Sequence, residues 1–175
     1  MTGRRRVVLA LGSNLGDRLA NLQGGLDLLG AVPGMGLEAV SGVYETPPVG
    51  GPEQGDFLNA VALAVNSLPA RQILDSCLAA EHAMGRVRTL TWGPRSLDID
   101  VIACGDERSA DPGLTLPHPR ASERAFVLVP WHELDHDARI PGDGRVADLL
   151  TTSGVSGQVA GVQRRPGLEL RMPGR

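Results

Sequence analysis

RTLTWGPRSLDIDVIAC (Arg88–Cys104) ends in a run whose alternation and β-branched residues, Leu97-Asp98-Ile99-Asp100-Val101-Ile102, predict a strand. Asp98 and Asp100 stand at i and i+2, so their side chains leave the same face of that strand. Ile102 and Cys104 are expected to continue that face as apolar residues. Two carboxylates therefore sit where buried surface begins, just after an arginine carried on a Gly-Pro turn. The strand also closes the pattern of elements that precedes it, and that pattern sets the fold.

Upstream, Val7 to Leu11 reads as a buried strand ending at Gly12-Ser13-Asn14. Leu15, Leu19, Leu22, Leu26 and Leu29 then follow a four-three-four-three spacing, which predicts an amphipathic helix weakened by Gly24-Gly25. LEAVSGVYET (Leu37–Thr46) predicts a second strand, halted by Pro47-Pro48, and PPVGGPEQGD forms a Gly/Pro loop. In FLNAVALAV (Phe57–Val65), Phe57, Asn59, Val61, Leu63 and Val65 share one face and Leu58, Ala60, Ala62 and Ala64 the other. Pro69 suits the first turn of a helix carried by Ile73, Leu74, Cys77, Leu78 and Met84 and closed by Gly85. The order β-α-β-β-α-β predicts an α+β, ferredoxin-like core, an antiparallel sheet with helices on one face.

Beyond Cys104 come a polar turn, the rigid LTLPHPR segment, a helix from Glu123 to Trp131 with a proline in its reach, and a short helix at RVADLL. We expect residues 1–150 to form a single catalytic domain. Residues 151–175 are a Gly/Ser/Arg-rich C-terminal extension, partly irregular, with at most a short hairpin.

The chain of 175 residues is 42% hydrophobic and 21% charged, an ordinary globular balance with a core of useful size. Its net charge of −3 argues against a general nucleic-acid or acidic-membrane binder. There is no lysine, so all 17 basic residues are arginine. A Walker-type P-loop and lysine-nucleophile chemistry are thereby excluded, and phosphate recognition falls to guanidinium forks, backbone amides or metal ions. Cys77 and Cys104 lack C-x-x-C spacing and read as buried free thiols. The apolar run of MTGRRRVVLALGSN is too short for a signal peptide, and no segment reaches transmembrane length, which gives a cytoplasmic expectation.

An arbitrary D-x-D is most often a solvated strand end. Here the apolar continuation and the neighbouring Arg86, Arg88 and Arg95 favour a hard divalent cation, with Mg²⁺ shared between the carboxylates and substrate phosphates. Trp92-Gly93-Pro94 aims Arg95, and Arg120 and Arg124 add charge from the far side, the equipment of phosphoryl transfer. His118, held between Pro117 and Pro119, is either a donor to a phosphate or ribose oxygen or part of a rigid surface turn. Phe57 and Asn59 on one strand face offer stacking plus amide pairing to a planar heterocycle, although a core Phe beside a hydrogen-bonded Asn reads the same way.

ALGSNLGD, YETPPVGGPEQGDFLNAV, GRVRTLTWGPRSLDIDVI and LTLPHPRASERAFVLVP, in this order between about Val7 and Leu150, resemble the motif series of the hydroxymethyl-dihydropterin pyrophosphokinases. The resemblance implies transfer of pyrophosphate from ATP to 6-hydroxymethyl-7,8-dihydropterin, releasing AMP in folate biosynthesis. It implies two Mg²⁺ ions on Asp98 and Asp100, and triphosphate neutralisation by Arg86 and Arg95. By it, Thr46, Pro47, Val49, Phe57, Asn59, Trp92 and Phe126 contact the pterin, while Arg88, Ile102, Thr115, His118 and Arg124 contact ATP. Small-molecule substrates, no nucleic acid or membrane, and a monomer are the implied partnerships. Three positions depart from the family pattern: Phe57 and Pro119 where tyrosine is frequent, and Thr89 where a basic residue is frequent. A Mg²⁺-dependent nucleotidyl transferase and a non-catalytic pterin- or nucleotide-binding module are the alternative readings.

Overall fold

The structure is a computed structural model that describes residues 3–85 and 91–174. Strand β1 (Arg5–Ser13) is followed by helix α1 (Arg18–Gly30), strands β2 (Met35–Val40), β3 (Tyr44–Thr46) and β4 (Phe57–Asn66), helix α2 (Ala70–Ala83) and strand β5 (Asp98–Cys104). A two-stranded ribbon, β6 (Ser109–Asp111) with β7 (Leu114–Leu116), leads through a 3₁₀ turn (Ala121–Glu123) into helix α3 (Ala125–Leu134). Short strands β8 (Arg139–Ile140) and β9 (Gly144–Arg145), helices α4 (Val146–Leu149) and α5 (Ser153–Val159), and strand β10 (Gln163–Arg164) complete the chain.

The main sheet runs β10-β3-β4-β1-β5, with β2 also paired to β4 and every pairing antiparallel. It has the ferredoxin-like order, with the first strand between the third-layer partner β4 and the last strand β5. α1 begins later than the leucine spacing predicts. Asp17 caps it by accepting from the Ala20 N–H at 3.0 Å, which leaves Leu15 outside the helix and half exposed. Leu22, Leu26 and Leu29 are fully buried. Gly24 and Gly25 have a packing reason: a Cβ on Gly24 would meet Met84 Cε at 2.6 Å, and one on Gly25 would meet Leu97 Cδ2 at 2.9 Å. Small residues here let α1 lie close against the end of α2 and the approach to β5.

Three expectations are corrected. LEAVSGVYET is two strands, separated at Ser41–Val43, where the Ser41 hydroxyl accepts from the Val61 N–H at 2.9 Å. Helices cover both faces of the sheet, because β4 is apolar on both. Leu58, Ala62 and Ala64 join Leu9, Leu11, Ile73 and Cys77 under α1 and α2, whereas Val61 and Leu63 join Val8, Ile102, Val127, Leu128 and Trp131 under α3. Cys104 does not continue the face of Asp98, Asp100 and Ile102. A register shift pairs Val8 with Ala103 and Leu9 with Val101, so the extra residue reverses the alternation and sends Cys104 into the first core.

Residues 151–174 pack against the rest. Val155 of α5 is buried in the second core, β10 adds to the edge of β3, and Gln23 exchanges two hydrogen bonds with the Arg171 backbone. No helix among the described residues is long and apolar enough to cross a membrane.

Candidate active site

The register across four strands lays out the site. Tyr44 of β3 pairs with Asn59 of β4, Asn59 with Gly12 of β1, and Gly12 with Asp98 of β5. Paired residues point to the same face, so Asn59 and Asp98 flank Gly12 on the side covered by α3. Two strand spacings separate them, roughly 10 Å. Gly12 leaves the floor between them open, since a Cβ there would lie 3.1 Å from Asn59 Oδ1 and 3.5 Å from Phe57 Cδ1.

One wall is apolar and flat. Phe57 follows the Gly/Pro loop on β4, Phe126 stands in the first turn of α3, and both line the same pocket with Thr46, Pro47 and Val49. At the buried end the Asn59 amide donates to Thr46 Oγ1 at 2.7 Å, a diagonal pair across β3 and β4. That bond orients the amide with its oxygen toward the Gly12 floor.

The opposite end is ionic. Arg95 Nη1 donates to Asp98 Oδ2 at 2.8 Å, and Arg124 Nη1 lies 3.6 Å from Asp100 Oδ2. Burial first, and then the Asp98 charge, push the Asp100 carboxyl up to about 6. His118 Nε2 is 3.7 Å from Asp100 Oδ2, and His118 Nδ1 accepts from the Arg120 N–H at 3.2 Å, which puts the ring proton on Nε2. Burial and the Arg124 charge lower the histidine to about 4, so it is a neutral donor at physiological pH.

Among the described residues no cluster of three or more His, Cys, Asp or Glu gathers. Two carboxylates on one strand face, partly exposed and open to a cleft, nevertheless fit magnesium, which keeps water and substrate oxygens in most of its positions. Burial first and the Asp98 charge second raise the Asp100 carboxyl, and a cation between the two would offset both.

Two loops meet over the pocket through Asn14 and Gln54. The Asn14 amide donates to Gln54 Oε1 at 2.9 Å and to the Gly55 carbonyl at 3.1 Å, while its own oxygen accepts from the Arg95 N–H at 2.9 Å. Gln54 Nε2 donates to the Trp92 carbonyl at 2.8 Å. Trp92 has φ 61, a strained value for a bulky residue, and its exposed ring lies under the Arg120 guanidinium at 5.2 Å. The loop after β3 and the segment that aims Arg95 are thus joined by Asn14, the residue that follows β1, and by Gln54 of the loop itself.

The residues expected from sequence divide as follows. Thr46, Pro47, Val49, Phe57, Asn59, Trp92, Arg95, Asp98, Asp100, Arg124 and Phe126 line one pocket. His118 joins it through Asp100. Thr115 sits on β7 with its hydroxyl donating to the Asp111 carbonyl, and the Ile102 side chain is fully buried in the second core while its carbonyl accepts the His118 N–H at 2.8 Å. Arg86, Arg88 and Thr89 lie outside the described residues.

Sequence reading missed Gly12, Asn14, Gln54 and the role of Glu81. Glu81 is buried, and its Oε1 accepts the N–H of Ile99, the residue between the two aspartates, at 2.8 Å. The signal available was a glutamate on the buried stripe of α2, at the i+4 position from Cys77.

Residues 8–136 match the family described as 7,8-dihydro-6-hydroxymethylpterin-pyrophosphokinase (HPPK). The 2-amino-4-hydroxy-6-hydroxymethyldihydropteridine pyrophosphokinase of Methylorubrum extorquens is 46% identical over 138 residues, covering 79% of this chain and 87% of that one. The proteins of the same name from Mycobacterium tuberculosis and Pseudomonas aeruginosa are 47% and 38% identical, over 77% and 93% of this chain and 75% and 98% of theirs. A Plasmodium falciparum HPPK-DHPS crystal structure with SDX-DHP superposes with a TM-score of 0.71 at 13% identity, a likeness of fold. It covers 94% of this chain, which spans 49% of that longer one.

Proposed function

Because the chain belongs to the 7,8-dihydro-6-hydroxymethylpterin-pyrophosphokinase family, we propose that its pocket transfers pyrophosphate from ATP to 6-hydroxymethyl-7,8-dihydropterin, giving the pterin diphosphate and AMP. One observation carries the assignment to these residues: a single row of paired positions sets the Asn59 amide and the Asp98 carboxylate about two strand spacings apart across a bare Gly12. That span suits a bicyclic heterocycle whose hydroxymethyl arm reaches the carboxylates.

In this reading Asn59 and the Thr46 edge take the donor and acceptor groups of the pterin ring, and Phe57 and Phe126 cover its faces. Phe57, where the family often has tyrosine, keeps the stacking surface. Asp98 and Asp100 would hold Mg²⁺, two ions by the family pattern. Bound there, the metal would neutralise phosphate charge and lower the pKa of the accepting hydroxyl. The hydroxyl oxygen attacks the β-phosphorus in line. One O–P bond forms as the bond from the β-phosphorus to the α-phosphate oxygen breaks, and AMP departs with the hydroxyl proton taken up on its phosphate.

Arg95 and Arg124 offset charge on the phosphoryl oxygens, and neutral His118 donates from Nε2 to a phosphate or ribose oxygen. The Asn14–Gln54 link lets the two loops close together, which excludes water that would compete for the transferred group.

Purified protein incubated with ATP, MgCl₂ and hydroxymethyl-dihydropterin, followed by nucleotide separation, tests the function. AMP should form only when all three are present. ADP as product, or AMP without the pterin, would exclude it.

A further inference from the structure

Helix α3 starts at Ala125, and Arg124, which stands at its N-cap position, supplies no side-chain cap. Its backbone is extended, its side chain makes no cap bond, and its guanidinium is turned toward Asp100 at 3.6 Å and over the Phe126 ring at 5.6 Å. The first N–H groups of a helix need an outside acceptor when the cap side chain is engaged elsewhere. Here the acceptor comes from α5. Gln158 Oε1 accepts the Ala125 N–H at 3.2 Å, and Gln158 Nε2 donates to the Glu123 carbonyl at 2.9 Å and to the Gly154 carbonyl at 2.8 Å. One amide thus grips the backbone on both sides of Arg124, in the only orientation that presents oxygen to N–H and nitrogen to carbonyls.

Helix α5, which carries Gln158, and β10, which follows it, are anchored to the rest of the fold. Val155 is buried among the side chains of the second core, the Arg165 N–H donates to the Val43 carbonyl at 2.8 Å, and Arg164 lies over Tyr44 at 5.6 Å and beside Glu133 at 3.9 Å. Gln158 is therefore a strut between a fixed helix and the turn that presents Arg124 and Phe126.

We propose that Gln158 is a positioning residue for the transfer reaction, holding the Glu123–Ala125 backbone so that Arg124 faces Asp100 and Phe126 faces the heterocycle slot. This rests on the proposed roles of Arg124 and Phe126. It gives the segment after residue 150 a part in the site without any contact to substrate.

The test compares Q158A with V155A, which opens a cavity beneath the same helix but leaves the amide in place. We expect kcat/KM for the pterin to fall about tenfold in Q158A and to stay within twofold of wild type in V155A, although V155A lowers Tm at least as much. The pterin Kd, measured by calorimetry, should rise in Q158A and not in V155A. Activity loss that tracks Tm across the two variants, or an unchanged kcat/KM in Q158A, overturns the proposal. Should Q158A fail to fold, the near-isosteric Q158E sets oxygen against the two carbonyls and is read the same way: a fivefold or greater loss supports the proposal, and unchanged kinetics overturn it. R124A and F126A separate the layers. If both are crippled while Q158A is silent, only the strut fails; if both are silent, the reading beneath it fails as well.

Discussion

Arg95 Nη1 donates to Asp98 Oδ2 at 2.8 Å, while Asp100 meets Arg124 at the longer distance of 3.6 Å. The two carboxylates are therefore not equivalent, and a cation arriving at Asp98 competes with an N–H already in place. For Arg95→Ala we expect turnover to fall by about 10²–10³, the cost of one preorganised donor to the phosphoryl oxygens. Mn²⁺ binding without nucleotide should be at least as tight as in wild type, because the competitor is gone. Calorimetry and steady-state rates check both halves; weaker Mn²⁺ binding would contradict the competition.

Asp98→Asn and Asp100→Asn should each lower turnover by about 10³ or more, since metal coordination contributes several kcal/mol to the transition state. Stability should move the other way for Asp100. Its carboxyl, raised to about 6 by burial and Asp98, favours the fold below the ordinary carboxylate range, and that contribution is lost as pH rises through about 6. Metal-free Asp100→Asn should then melt no lower than wild type at pH 7.5. A large drop in its Tm would show that the charge supports the fold.

Gly12→Ala should raise the pterin KM about tenfold, roughly 1.4 kcal/mol of lost binding. The new methyl group would lie 3.1 Å from Asn59 Oδ1 and intrude on the slot floor. Its effect on the ATP KM should be small, because the clash is at the amide end. Kinetics varying each substrate in turn distinguish this from general destabilisation, which would depress both.

Cys77 and Cys104 are both buried, and burial pushes the Cys77 thiol up to about 12. A thiol reagent at pH 8 should modify neither residue in the folded protein and both after denaturation. Tyr44 is also raised to about 12, by burial and by its hydrogen bond to Glu133. For both groups the folded value exceeds the unfolded one, so the stability they contribute is present up to about pH 9 and lost as pH rises toward 12. Tm followed from pH 8 to 11 should fall accordingly; a flat profile would argue against burial of these groups.

Elements were legible where pattern was strong. The Leu22-Leu26-Leu29 stripe, the alternation of β4 and the D-x-D pair carry local signals, and short-range periodicity reports which neighbouring residues share a face. Boundaries were less so: Asp17 rather than Leu15 opens α1, because a cap bond outweighs one more apolar contact. The bulge in β5 left no local mark, since it is defined by pairing with β1 and not by composition. Gln158 stood in a Gly/Ser-rich tail that resembles disorder, and its two hydrogen bonds to the turn before α3 are to backbone thirty-odd residues away.

By itself the sequence determined the β-α-β-β-α-β order of the core, the family, and which residue types carry the chemistry. Those follow from periodicity, from turn residues and from motif blocks that lie within a few residues of one another. Tertiary structure alone decided the row Tyr44–Asn59–Gly12–Asp98, the pairing of each aspartate with its own arginine, and the holds of Glu81, Asn14 and Gln158 on the site. Each depends on the register of strands distant in sequence or on one side chain meeting a remote backbone group. Such contacts arise from packing the whole chain, and no local pattern encodes them.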